Sequence, residues 1–182
     1  NIPVAINGFI SHFIEKPDLA SSWAETLQGP EADSGHICTY LPGSVMTQFI
    51  QLYKDDSHEI VIITLTKLLD YPKIEQLLLS KLYSIRGWEF TLTGDFETSI
   101  QDLDKAIELD DKNAQSHARR GESYRLMSKF EEAIRDLYRA IELNDKYDSA
   151  YGSRGETYRL MSKYEEAIRD LYRAIKMNDK YD

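Results

Sequence analysis

The chain has 182 residues, a net charge of −9 and a pI near 5.0, a balance that argues against a general binder of nucleic-acid backbone. Its 42% hydrophobic content is enough for a real core, in one domain or two small ones. No apolar run approaches the ~20 residues of a membrane span: the longest, residues 60–63, is broken by Thr64, Thr66 and Lys67. Cys38 is the only cysteine, which rules out an intrachain disulfide and suits a reducing, cytoplasmic setting. The chain opens at Asn1 without an initiator Met or basic leader and reads as a fragment or processed product.

Charge is uneven along the chain. Residues 1–79 hold four lysines, no arginine and ten acids, and the first arginine is Arg86. Residues 2–14 space Val4, Ile6, Phe9, Ile10, Phe13 and Ile14 for a helix, which Pro17 stops. Asp18 can cap a second helix carrying Leu19, Trp23 and Leu27. Residues 28–43 are rich in Gly and Pro and read as a long loop. Ser44 caps a helix running to about Lys54, with Met46, Phe49, Ile50 and Tyr53 on one side. The segment 58–69 is rich in β-branched residues, yet its length and the spacing of Ile60, Ile63 and Leu68 favour a helix. Asp70-Tyr71-Pro72 starts a further helix that runs through residues 76–79 and on past residue 80.

From residue 80 the chain repeats itself. Residues 114–147 return as 148–181 with 24 of 34 positions identical, and 80–113 form a more diverged copy. Within each copy two apolar patterns of helical period flank a short polar turn, such as Ser128-Lys129. Small residues fall where helices would cross: Gly121 and Gly155 on the first helix, Ala133, Ala140, Ala167 and Ala174 on the second.

These copies resemble the tetratricopeptide repeat. The third copy carries that family's signature at Tyr151, Arg154, Gly155, Tyr158, Ala167, Leu171, Ala174 and Asp179; the earlier copies match, with His117 and Ser99 among their variations. Arg stands in place of the usual Leu before the glycine, Leu in place of the usual aromatic on the second helix, and Asp in place of the closing proline. The resemblance implies an all-α fold: a right-handed α-solenoid of three helix-turn-helix repeats (80–113, 114–147, 148–181) behind an N-terminal helical region, 1–79. It also implies a concave wall lined by first helices: Lys81, Ser84, Ile85, Trp88 and Thr91, then Gln115, Ala118, Arg119, Glu122 and Arg125, then Ser149, Gly152, Ser153, Glu156 and Arg159. Trp88, Arg119, Glu122, Arg125, Glu156 and Arg159 are the candidate contacts for a protein or peptide partner of mixed charge, unless the charges only pair along their own helices. Some relatives grip the C-terminal carboxylate of chaperones with a Lys/Asn/Arg clamp; here those positions hold Ser84, Trp88, Arg119, Ser149 and Ser153, so that ligand is not expected.

Arg86, Arg120 and Arg154 sit on a face that should be largely buried, where an unpaired guanidinium would be costly. Asp102, Asp136 and Asp170 recur sixteen residues later, on the second helix. The spacing predicts one structural Arg–Asp pair per repeat, bidentate where geometry permits. A second-helix stripe of Arg135, Tyr138, Arg139, Arg169, Tyr172 and Arg173 reads as solvated surface or a secondary contact.

No Gly-rich phosphate loop, His-Glu-x-x-His or zinc-spaced cysteine pair is present, so neither enzyme, cofactor nor metal is expected. The leading expectation is an interaction scaffold with a protein partner, without membrane or nucleic acid. Two alternatives stand beside it. One is a structural protein whose uncapped repeat ends stack into oligomers or filaments; the other is the regulatory arm of a larger signalling protein.

Overall fold

The computed structural model describes residues 58–69 and 76–178. The helices expected over 2–14, 18–27 and 44–54, the loop at 28–43 and the helix start at 70–72 lie outside them. Among the described residues there are seven helices and no strand: α1 (His58–Leu69), α2 (Gln76–Thr93), α3 (Phe96–Leu109), α4 (Ala114–Leu126), α5 (Phe130–Leu143), α6 (Asp148–Leu160) and α7 (Tyr164–Asn178). They form an all-α array in which α2/α3, α4/α5 and α6/α7 are the three helix pairs and each pair packs on the next. α1 packs on α2, ahead of the first pair.

The β-branched segment 58–69 is helical, as its length and spacing favoured, though one of the spaced residues, Ile63, does not face the core. Val61 and Leu65 are each 6% exposed, whereas Ile63 is 44% exposed. Apolar side chains surround this helix on several sides, so sequence contrast alone does not say which face meets α2.

The inside of each pair is set by one contact. A Cβ on Gly87, Gly121 or Gly155 would come 2.8 Å from the Cγ of Leu103, Leu137 or Leu171, respectively. The leucine in the usual aromatic position thus lies directly on the bare glycine backbone, bringing the two axes together. Leu103, Leu137, Ala106, Ala133 and Ala140 are fully buried around these crossings.

The connections follow from local chemistry. Gly94, Ser128 and Ser162 occupy the same place in successive turns, with φ of +85°, +61° and +60°. This left-handed conformation suits glycine and is strained for the two serines. Asn113 caps α4 by accepting hydrogen bonds from the backbone N–H groups of Gln115 and Ser116, and Asp95 caps α3 by accepting from Thr98.

At the junction of α2, α3 and α4, three buried hydroxyls meet. Thr91 Oγ1 lies 2.7 Å from Ser99 Oγ and 2.8 Å from Ser123 Oγ, while Ser99 and Ser123 are 3.0 Å apart. First helices also touch across repeats, α2 with α4 and α4 with α6, a contact the second helices do not make to a comparable extent. The first helices therefore form the tighter, inner wall of the array, and the second helices its outer side.

Candidate partner-binding site

The inner wall is held in register by a charged fork repeated in each pair. Arg86 Nε donates to Asp102 Oδ2 at 2.7 Å and its Nη2 to Oδ1 at 2.8 Å. Arg120 grips Asp136 at 2.7 and 2.6 Å, and Arg154 grips Asp170 at 2.7 and 2.9 Å. All three aspartates are buried. Each fork fixes the rotation of a first helix against its second through two parallel hydrogen bonds.

The remaining side of each guanidinium reaches back to the preceding second-helix layer. Arg86 Nη1 donates to Thr66 on α1 at 3.0 Å, and Arg120 Nη1 to Asp104 on α3 at 2.6 Å. Arg154 instead lies 4.2 Å over the Tyr138 ring on α5. Asp104 and Tyr138 occupy the same repeat position, so one site accepts either an anion or a ring. Burial acts to lower the Arg154 pKa, but the hydrogen bonds and charge of Asp170 outweigh it and raise it above its ordinary value.

Asp136 serves two partners. The Nδ1 of buried His117 lies 3.6 Å from the carboxylate that Arg120 grips, and its Nε2 lies 3.2 Å from the Asp111 carbonyl oxygen. Burial pushes the Asp136 carboxyl up, but the hydrogen bonds and charge of Arg120, with the nearby His117 ring adding to them, hold it below its ordinary value.

The wall's candidate contacts divide into two groups. At the first repeat Lys81, Ser84, Ile85 and Thr91 are buried, so this end of the expected wall is closed. Thr91 is drawn into the hydroxyl junction, and Ser84 accepts a hydrogen bond from Arg119 Nη1 at 3.2 Å. Trp88 is half-buried beneath the Arg119 guanidinium, 5.9 Å from the ring centre. Ala118 is buried as well.

The charged part belongs to α4 and α6, with Arg159 and Glu156 side chains 52% and 37% exposed and those of Arg125 and Glu122 18% each. Arg125 is bidentate to Glu122 at 3.0 and 2.5 Å, and Arg159 to Glu156 at 2.8 and 2.6 Å. These pairs run along one helix, three residues apart, yet they also feel each other. Glu156 is held below its ordinary range chiefly by the hydrogen bond from Arg159, with Arg125 of the neighbouring helix adding to it. The result is a small checkerboard of alternating charge. Beside it, a Cβ on Gly152 would meet nothing within 4 Å.

On the outer side, sequence reading missed how much of the Arg/Tyr stripe is engaged. Tyr138 carries Arg154 and accepts a hydrogen bond from the Tyr158 hydroxyl at 3.3 Å, and Arg173 lies 5.0 Å over the Tyr151 ring. The signal available was the shared repeat position of residues 104 and 138. Among the described residues no His/Cys/Asp/Glu group could hold a metal, and no helix is long and apolar enough to cross a membrane.

Tetratricopeptide repeat models match residues 80–113, 114–147 and 148–181, the three helix pairs with their forks. The chain belongs to the tetratricopeptide repeat family. No curated protein sequence matches it. Among solved structures it is similar to the second TPR of Spaghetti (RPAP3) bound to the HSP90 peptide SRMEEVD, with 29% identity, 54% of this chain and 92% of that chain covered, and a TM-score of 0.53. The first TPR domain of human RPAP3 is 26% identical over 54% of this chain and 78% of its own, with a TM-score of 0.53. A crystal structure of MamA shares the fold over 94% of this chain and 95% of its own, at 19% identity and a TM-score of 0.61.

Proposed function

We propose that this chain is a protein-interaction scaffold that holds an extended peptide of mixed charge along the inner wall of α4 and α6. The observation that carries the reading is the checkerboard of Glu122, Arg125, Glu156 and Arg159, part-buried on α4 and more open on α6. Each arginine there already has a carboxylate on its own helix, so it does not demand an anion. A peptide that places an acid near Arg125 or Arg159 and a base near Glu122 or Glu156 would exchange these local pairs for intermolecular ones. Open space at Gly152 lets a peptide backbone come close to α6.

The peptide-bound RPAP3 relative supports a peptide as the kind of partner. It does not carry over as a named ligand, because Ser84, Trp88, Arg119, Ser149 and Ser153 stand where a carboxylate clamp would. Screening chain 1–182 against a peptide library of varied charge pattern tests the reading. Arg125→Glu with Arg159→Glu is expected to abolish capture of the selected peptides while leaving the helical content intact. Gly152→Trp, which fills the open space, should weaken it too. Capture unchanged in both variants would reject the inner wall as the site.

A further inference from the structure

One position of the inner wall is apolar and open in all three repeats. Leu92, Leu126 and Leu160 stand at the C-terminal ends of α2, α4 and α6 and are 49%, 43% and 40% exposed. They recur at the repeat period, so each meets the wall at the same height. Each follows Trp88, Glu122 or Glu156 by four residues, about 40° around the helix, and shares the side that carries them. Leu92 and Leu126 keep their exposure with the next repeat packed beside them, so the openness belongs to the repeat itself. A single exposed leucine needs no explanation, but three in register make a line.

The spacing of that line selects the kind of chain that can lie along it. Packed helices stand about 8–10 Å apart, and the first helices touch from repeat to repeat. A polyproline II segment rises about 3.1 Å per residue with three residues per turn, so every third side chain returns to one edge after about 9 Å. A β-strand returns a side chain to the same face after about 6.6 Å, too short for one repeat, and again at about 13 Å, too long. The surroundings of the line also differ along it. At α2 the leucine stands beside Trp88, whereas at α4 and α6 it stands beside the Glu122–Arg125 and Glu156–Arg159 pairs.

We propose that the leucine line selects the peptide of the inner wall: a polyproline II segment with an apolar side chain at every third position. This deepens the peptide reading above and rests on it. One apolar side chain of the peptide meets Leu92, and the next two meet Leu126 and Leu160. Side chains between them pass the two ion pairs, where an acid reaches Arg159, the more open of the two arginines. Proline fits these intervening positions, because a polyproline II segment has no internal hydrogen bonds to lose. It also holds the peptide in the bound shape beforehand, which lowers the entropy lost on binding.

Fluorescence anisotropy of labelled synthetic peptides with chain 1–182 tests it. The first peptide carries leucines at its first, fourth and seventh positions, with proline, glutamate and lysine between them. The second has the same composition with leucines at the first, third and fifth positions, and the third is a helical peptide with a leucine at every seventh. The first should bind on the order of tenfold more tightly than either of the others. Leu126→Ser should remove that preference. Leu126→Glu should turn it toward a peptide whose middle leucine is replaced by lysine, which a general loss of structure would not do. The position is exposed, so circular dichroism of both variants should stay helical. Equal binding of all three peptides, lost in Arg125→Glu with Arg159→Glu, would sink the leucine line and leave the inner wall standing. No binding of any peptide, or binding indifferent to every substitution, would overturn the two together. Tighter binding of the helical peptide, or a dimer of the free chain that Leu126→Glu dissolves, would give the line to another occupant and reject the proposal.

Discussion

Arg154 and Tyr138 belong to different repeats, yet the guanidinium lies 4.2 Å over the ring while its edge donates to both carboxylate oxygens of Asp170. One side chain thereby joins three helices: α5 by its face, α7 by its edge and α6 by its backbone. Coupling of this kind is what a repeat array requires, since no single pair can bury its own apolar side.

The fork should be far more costly to break than to replace. Asp170→Ala leaves Arg154 buried without its carboxylate and is expected to cost about 3–5 kcal/mol. Arg154→Met combined with Asp170→Leu removes both charges and fills the space, and should recover most of that loss. Urea unfolding of the single and double variants measures the difference. Strictly additive losses would show that the pair does not act as a unit.

Two glycines of α6 give opposite signs for the same substitution. Gly152→Ala adds a methyl into open space and a better helix former, so it should stabilise by about 0.5–1 kcal/mol. Gly155→Ala drives its methyl to 2.8 Å from Leu171 Cγ and 3.2 Å from the Ala167 carbonyl oxygen. It should destabilise by about 1–3 kcal/mol, because the helices must separate. Thermal midpoints of the two variants against the parent decide it.

The repeats and their forks were legible because identity at a fixed period, and an Arg–Asp spacing of sixteen kept three times, survive without knowledge of neighbours. The third partner of each arginine was not. Thr66, Asp104 and Tyr138 present a hydroxyl, a carboxylate and a ring face, and only the packing of one repeat on the next brings them to the same place. The closed end of the wall was hidden for a related reason. Lys81, Ser84 and Thr91 look like surface residues, yet polar contacts draw Ser84 and Thr91 into helix junctions. On α1, apolar residues on several sides concealed that Val61 and Leu65, rather than Ile63, face inward.

The two serine turns offer a gain. Ser128 and Ser162 hold φ near +60°, where Gly94 stands in the first repeat. Glycine adopts that conformation without the Cβ penalty, so Ser128→Gly and Ser162→Gly should each stabilise by up to about 1 kcal/mol. Denaturation midpoints of the single and combined variants provide the check, and a loss of stability would mean that the serine side chains contribute more than their backbone strain costs.

At high pH the Tyr158 phenol should titrate late. Burial, together with the neighbouring Tyr138 hydroxyl, pushes Tyr158 from the ordinary 10.0 up to about 12. The folded chain then holds this proton more tightly than the unfolded one. The corresponding stability is intact below pH 10 and is lost as pH rises from 10 toward 12. Tyr158→Phe should remove a late step from the phenolate absorbance titration and flatten the alkaline fall in stability. An unchanged titration would mean that this hydroxyl does not titrate late.

At low pH the sign reverses. Burial works to raise the Asp136 pKa, but the hydrogen bonds and charge of Arg120, with the nearby His117 ring adding to them, prevail, and it lies below its ordinary 3.8. The folded chain therefore releases this proton more readily than the unfolded one. Its contribution to stability is complete above pH 3.8 and is lost as pH falls further, through the depressed folded value. Asp136→Asn should lower stability at neutral pH, since the amide cannot accept both Arg120 donors as a carboxylate does. Its stability should also fall less steeply below pH 4 than the parent's, because one linked proton is gone. Parallel slopes for parent and variant in that acid range would place the acid sensitivity in other carboxylates and remove Asp136 from the account.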